Sequence, residues 1–341
     1  MMQGFVGFIC AIIALCFGLS FRTAGTPRNN ILLGVKLPVG VLKRQEVAEL
    51  AVRFKKANRS IFFLFIVLAL PMFKLEYPSL LLVYMMVWCT AYYTIGYQCF
   101  LHYFDRLLLL KSRNLWFPTD AEYHELTVKE EAQRESRSLL KLYWLLFPDR
   151  RKKLLKKAEG PLYVDEDEYW INGYYDNPWD KRKSVEKRFG IGTTTNMAYK
   201  SNRWISCLAF TTMVLLLGGL SILLYRMDFA TFRINIGKEE VAIDAPVYHY
   251  RFKTSDILEV AVTENLPEGG LRVNGAATSN YYLGNFNLEQ YGKSKVFLYI
   301  KYPPYIVIHL KDRTVLFNTK SRDDTLEYYR QLVYLIEGKE E

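Results

Sequence analysis

The densest run of chemically capable side chains lies between Asp165 and Asn196. Four consecutive acids, Asp165, Glu166, Asp167 and Glu168, open it. Tyr169, Trp170, Gly173, Tyr175, Asn177, Pro178 and Trp179 follow, and then Lys187-Arg188-Phe189-Gly190-Ile191-Gly192. A divalent-cation loop needs a glycine at its turn and a bidentate carboxylate at its end. The acids have neither, so they are expected to form a solvated turn. Gly190-x-Gly192 lacks the strand, the Gly-Lys-Ser/Thr ending and the following helix of a phosphate loop. Asn177-Pro178 favours a turn. The Arg188 fork suits a carboxylate of the acidic run or a lipid phosphate.

Nothing else in the chain assembles a reaction. His102, His124, His249 and His309 are scattered and belong to no His-Glu-x-x-His pair. There is no Cys-x-x-Cys pair and no Gly-x-Ser-x-Gly elbow. The expectation is no enzyme, no catalytic or metal residue and no cofactor. Cys10, Cys16, Cys89, Cys99 and Cys207 all sit in or beside apolar runs, where they serve as small hydrophobes rather than a disulfide framework. The net charge is +10. Its basic residues cluster beside apolar runs, which points to an anionic membrane surface and away from nucleic acid.

The elements that position this module are membrane-like. Residues 2–21, 60–73, 79–99 and 204–225 are apolar runs. Crossing the hydrocarbon core takes about 20 residues, so the second run is short. It joins the third through Lys74-Leu75-Glu76-Tyr77-Pro78 as a tight hairpin, residues 60–99. The first run lacks a basic start and a small-x-small cleavage site, which reads as a retained anchor. Residues 22–59 carry nine basic side chains against Glu46 and Glu49. The positive-inside rule puts this loop and residues 100–203 in the cytoplasm, and the N-terminus and the C-terminal region outside.

Within the first loop, Val47, Leu50, Ala51 and Phe54 recur at helical spacing, as an interfacial helix leading into the second span. Residues 100–164 form a helical, polybasic region. Thr119 or Asp120 is a candidate cap, and residues 139–147 an apolar stretch for the headgroup plane. Arg150, Arg151, Lys152, Lys153, Lys156 and Lys157 follow as candidate contacts for anionic lipid. Asp105, just past the third run, is expected to pair with Arg106 at the interface. The aromatic and glycine module occupies residues 165–203.

After residue 228 the hydrophobic period changes from helix to strand. Residues 229–236, 240–244, 247–252, 257–263, 281–288, 295–301, 305–310 and 313–318 read as strands bounded by Gly, Pro, Asn and Asp. Ser321-Arg322-Asp323-Asp324 then opens a helix whose apolar face holds Leu326, Tyr329, Leu332, Val333 and Ile336. Short strands followed by one helix suit a small barrel capped by that helix over residues 228–338. From Arg226 onward there are 15 Lys and Arg against 16 Asp and Glu, a net of −1. A basic phosphoinositide pocket is therefore not expected.

Trp170, Gly173, Tyr175, Asn177, Pro178, Lys187, Arg188, Gly190, Gly192 and Asn196 stand in the order of a motif that resembles a bacterial family of membrane-linked domains of unknown function. The Leu33-Gly34-Val35-Lys36-Leu37-Pro38 step is similar to the loop after the first span in those proteins. Their spans are related to the SdpI-like immunity and signalling proteins. The C-terminal region resembles the bacterial pleckstrin-homology-like domains. Tyr250-Arg251-Phe252, Leu266-Pro267, Arg272-Val273-Asn274-Gly275, Gly284-Asn285-Phe286 and Pro304-Tyr305-Ile306 carry that likeness. Together the resemblances imply about four transmembrane helices with an all-β pleckstrin-homology-like barrel, in a bacterial cell membrane. The function they imply is a non-enzymatic scaffold or sensor that binds lipid, a protein partner or itself. Bacteriocin or antibiotic immunity is the alternative, and a transporter the third reading.

Overall fold

A computed structural model describes residues 2–119, 121–126, 150–229, 231–267 and 269–337. The expected cap at Asp120 and the apolar stretch 139–147 lie outside these residues. The chain forms two compact units. The first comprises residues 1–74 and 84–216, and the second residues 75–83 and 217–341.

Helix α1, Met2–Ala24, opens the first unit. The antiparallel strands β1, Ile31–Leu32, and β2, Val35–Lys36, then turn the chain toward α2, Gln45–Ala69. This is longer than the expected short second run. The interfacial helix and the span are one continuous helix, extended by a 3-10 turn over Leu70–Lys74. Lys55, Lys56 and Arg59 interrupt the apolar pattern but not the backbone hydrogen bonding. Helix α3 spans Pro78–Arg113, and its 36 residues give a rod of about 54 Å. That exceeds the roughly 30 Å hydrocarbon core. Its C-terminal turns pack instead with Leu32, Val35, Val47 and Phe54 through Phe100, Phe104, Leu107 and Leu108.

The three helices meet along an aromatic seam. Tyr92 on α3 stacks on Phe65 of α2 at 4.8 Å and packs edge-on against Phe17 of α1. Trp88 donates its indole N–H to the Phe65 carbonyl at 2.9 Å. These polar tips sit on carbonyls within an apolar bundle, which keeps buried donors satisfied. The remaining elements are small. Strand β3, His124–Glu125, pairs with β4, Tyr163–Val164, and the short helix α4, Arg151–Leu155, lies between them in sequence. Strands β5, Ser184–Glu186, and β6, Thr193–Thr195, form a hairpin ahead of α5, Lys200–Phe229.

Among the described residues, four helical stretches are long and apolar enough to cross a membrane: Gly7–Ala24, Gln45–Lys74, Pro78–Arg113 and Lys200–Phe229. Along α5, Leu208, Leu215, Leu216 and Ile222 are all more than 60 % exposed in the isolated chain. Apolar surface of that extent is stable only against lipid or a partner.

In the second unit, β7, Arg233–Ile236, β8, Glu240–Asp244, and β9, His249–Lys253, make a three-stranded antiparallel sheet. Strands β10, Ile257–Thr263, β11, Leu271–Ala277, β12, Tyr281–Leu288, β13, Gly292–Tyr299, β14, Tyr305–Leu310, and β15, Thr314–Phe317, make a second sheet. Its order is β10-β14-β15-β13-β12-β11, with β13 and β15 parallel. Helix α6, Arg322–Glu337, buries Leu332 among Ile234, Val241, Phe297, Ile306 and Phe317, so one core joins both sheets and the helix. The other face of the larger sheet has its own cluster around Val296, Leu298, Val307 and Leu316. The expected strands form, but they do not close into a barrel. Among the described residues the two sheets remain separately hydrogen-bonded.

Candidate functional site

The acidic run is not a solvated turn. A 3-10 turn over Glu166–Trp170 presents Asp165 and Asp167 inward, and both are buried. Lys111, near the end of α3, is completely buried and places its ammonium 2.7 Å from Asp165 and 2.6 Å from Asp167. Four leucines, Leu107 to Leu110, precede it, which is why α3 continues into the protein core rather than ending in water.

Arg188 completes the cluster. Its guanidinium meets Asp167, donates to the Gly34 carbonyl at 2.8 Å and lies 5.0 Å over the Trp170 ring. Asp167 also accepts the Lys36 backbone N–H at 3.2 Å. Two cations thus face two carboxylates with no net charge, as a buried ionic group requires. Burial pushes the Asp167 carboxyl up, but the Arg188 charge and then Lys111 outweigh it, and the net direction is down. Burial and then the neighbouring Asp167 charge push Asp165 up against the pull of Lys111. The cluster pins α3, the β1–β2 hairpin, the acidic turn and the glycine loop to one point.

A second lock lies nearby. Asp105 is buried, and its partners are Arg150 and Lys157 rather than the expected Arg106. Arg150 also donates to the Ile171 carbonyl at 2.6 Å, and Asn172 accepts the Arg150 backbone N–H at 2.9 Å. Its side chain is 12 % exposed, so it is turned inward and is not available to a lipid surface. Arg151 is half-buried near Glu168, whereas Lys152, Lys153, Lys156 and Lys157 remain exposed.

The motif residues fall into three groups. Trp170, Tyr175, Asn177 and Arg188 line one open cleft of about 300 Å³, together with Glu166, Trp179 and Arg182. The Tyr175 hydroxyl donates to Asp180 at 2.8 Å, and Asp180 holds Arg182 at 2.8 Å. That Arg182 fork, with the Tyr175 hydroxyl, holds the Asp180 carboxyl well below the usual carboxylate range. Asn177 and Asn196 form the scaffold behind the cleft. Asn196 is fully buried, accepts the Asn177 N–H at 3.0 Å and returns its amide to the Asn177 carbonyl at 2.8 Å. Asn202, in the first turn of α5, donates to the carbonyls of Lys183 and Asn196, both at 2.9 Å. Pro178 is exposed at the intervening turn.

Gly173 has a different role. Its φ is +88°, and a Cβ there would lie 2.1 Å from the Tyr97 hydroxyl. Lys187, Gly190 and Gly192 stand apart from the cleft at the tip of the β5–β6 hairpin. Between them Phe189 turns inward against Phe100 at 4.2 Å, and the Gly190 N–H donates to the Thr23 hydroxyl at 2.9 Å. Sequence reasoning missed Lys111 and the burial of Asp165 and Asp167. The available signal was a lysine behind four leucines, in need of a buried counter-charge.

Among the described residues no group of three or more His, Cys, Asp and Glu side chains is arranged to hold a metal ion. Comparison of the chain with protein-family models, curated proteins and solved structures finds no match. The described residues define four helices long and apolar enough to cross a membrane, a charge-locked aromatic module and a strand domain with a terminal helix.

Proposed function

We propose that this chain is a multi-pass membrane scaffold or sensor without enzymatic activity, and that its aromatic cleft is the docking point for a partner. The carrying observation is the cleft beside the buried charge cluster, in which Trp179 is 80 % exposed while its neighbours are rigidly held. An exposed indole on a rigid rim is the kind of anchor that dominates protein interfaces. The cleft mixes aromatic faces with Glu166 and Arg182, so a polar protein segment with both charge signs fits it.

In this reading the four helices cross a bacterial cell membrane, the module lies on the basic, cytoplasmic side, and the strand domain lies outside. The pleckstrin-homology-like resemblance of its sequence supports reading the strand domain as a second binding surface. The test is a photocrosslinking residue placed at Trp179 or, as a control, at Lys152 in the full chain in cells. A discrete adduct at Trp179 alone is expected. Identical patterns at both sites, or none at Trp179, overturn the proposal.

A further inference from the structure

Where α5 meets the strand domain, a cleft of about 580 Å³ opens between the helix end and the three-stranded sheet. Arg226, in the last turn of α5, and Arg233, the first residue of β7, both line it. Tyr225, Phe229 and Pro246 supply its apolar wall. Both arginines are exposed, and among the described residues neither has a carboxylate within 4.0 Å. Asp244 also lines the cleft and stands opposite Arg233 in the strand register, but its carboxylate is taken by His249 at 2.9 Å. Two guanidiniums are therefore left facing one open space in a domain whose total charge is close to zero.

The position of the cleft indicates what fills it. Phe229 packs against Tyr225 at 4.7 Å and against Tyr77, just before α3, at 4.8 Å. Aromatic clusters at the ends of membrane helices sit at headgroup depth. At that depth two forked cations meet phosphate groups, which arginine binds in bidentate fashion. The apolar wall would lie beside the glycerol and first acyl carbons.

We propose that Arg226 and Arg233 form a binding site for the phosphodiester headgroup of an anionic phospholipid. The site requires α5 to be a membrane span but is independent of partner docking at Trp179, so the two proposals fail separately. The test uses the full chain in nanodiscs of phosphatidylcholine with a minor share of phosphatidylglycerol, and counts retained lipids by native mass spectrometry. Wild type is expected to retain phosphatidylglycerol selectively. Arg226→Gln with Arg233→Gln should reduce that retention about tenfold or more, and each single change by a lesser factor. Arg272→Gln, on an exposed strand, should have no effect. Both cleft arginines are exposed, so melting temperature should not change and folding is checked in the same samples. Equal retention by the double variant, or equal retention of phosphatidylcholine, overturns the proposal. Displacement of the lipid by millimolar inorganic phosphate also overturns it, and would mark a site for free phosphate.

Discussion

At the scale of single residues, the buried cluster gives two aspartates opposite behaviour. Asp167 faces both cations, so its folded pKa lies below the ordinary value of about 3.9. Its contribution to stability is present above that value and is lost as pH falls through the lower folded value. Asp165 is shifted up, so its contribution is greatest in acid and shrinks as pH rises through its folded value. Asp167→Asn should therefore cost about 3 to 5 kcal/mol, since it leaves Arg188 and Lys111 underpaired in the interior. It should also flatten the acid limb of a melting-temperature profile below about pH 4, where the carboxylate titrates. Asp165→Asn should cost less and remove the decline that sets in as pH rises above about 4. Equal costs for the two would mean that the cations do not discriminate between them. Gly173→Ala meets the Tyr97 hydroxyl and an unfavourable φ together. It should cost about 2 to 4 kcal/mol, measured by thermal melting, and the companion change Tyr97→Phe should recover part of the loss.

At the scale of elements, legibility in the sequence followed hydrophobic period. The first, third and fourth apolar runs and the eight expected strands match helices and strands to within a few residues at most of their bounds, with the helix ends running further, because a long apolar run and a short β-branched run between turn residues are both local signals. Three features were hidden, each for a physical reason. Helix α2 continues through Lys55, Lys56 and Arg59 because charges on its outer face do not interrupt the ladder. Strand β11 is missing from the expected strands because Arg272, Asn274 and Gly275 break the pattern, and the strand is exposed at the edge of its sheet. The acidic run reads as solvated because its counter-charge, Lys111, is over fifty residues away in sequence. Pairings at that distance leave no local periodicity. The β11 edge yields a prediction of its own. Leu271 and Val273 are more than 70 % exposed beside unpaired backbone groups. Leu271→Lys with Val273→Lys should change stability by no more than about 0.5 kcal/mol, while lowering self-association of the full chain in detergent by light scattering. A large loss of stability would mean that β11 is covered by something in the folded protein.

At the scale of the whole molecule, the connectivity of α2, α3 and α5 makes membrane sidedness testable with two probes. Glu76, in the short connection between α2 and α3, pairs with Lys301 of the strand domain at 2.5 Å and accepts from the Asn280 amide at 3.1 Å. At the other ends, Asn202 of α5 and Thr23 of α1 are bonded to the aromatic module. If each helix crosses the bilayer once, the connection carrying Glu76 and the strand domain share a side, and the module has the opposite one. Ser279 and Ser184 are both exposed and mark the two regions. In a variant with Cys10, Cys16, Cys89, Cys99 and Cys207 replaced, a membrane-impermeant thiol reagent applied to intact cells should modify Ser279→Cys and spare Ser184→Cys until the cells are permeabilised. Labelling of Ser184→Cys alone would invert the arrangement and contradict the positive-inside bias of residues 22–59. Protection of both would mean that an odd number of helices cross before the strand domain. Only α5 lies between the two probes, so its exposed apolar surface would then have to be covered by protein, and the lipid site at Arg226 and Arg233 would lose its basis.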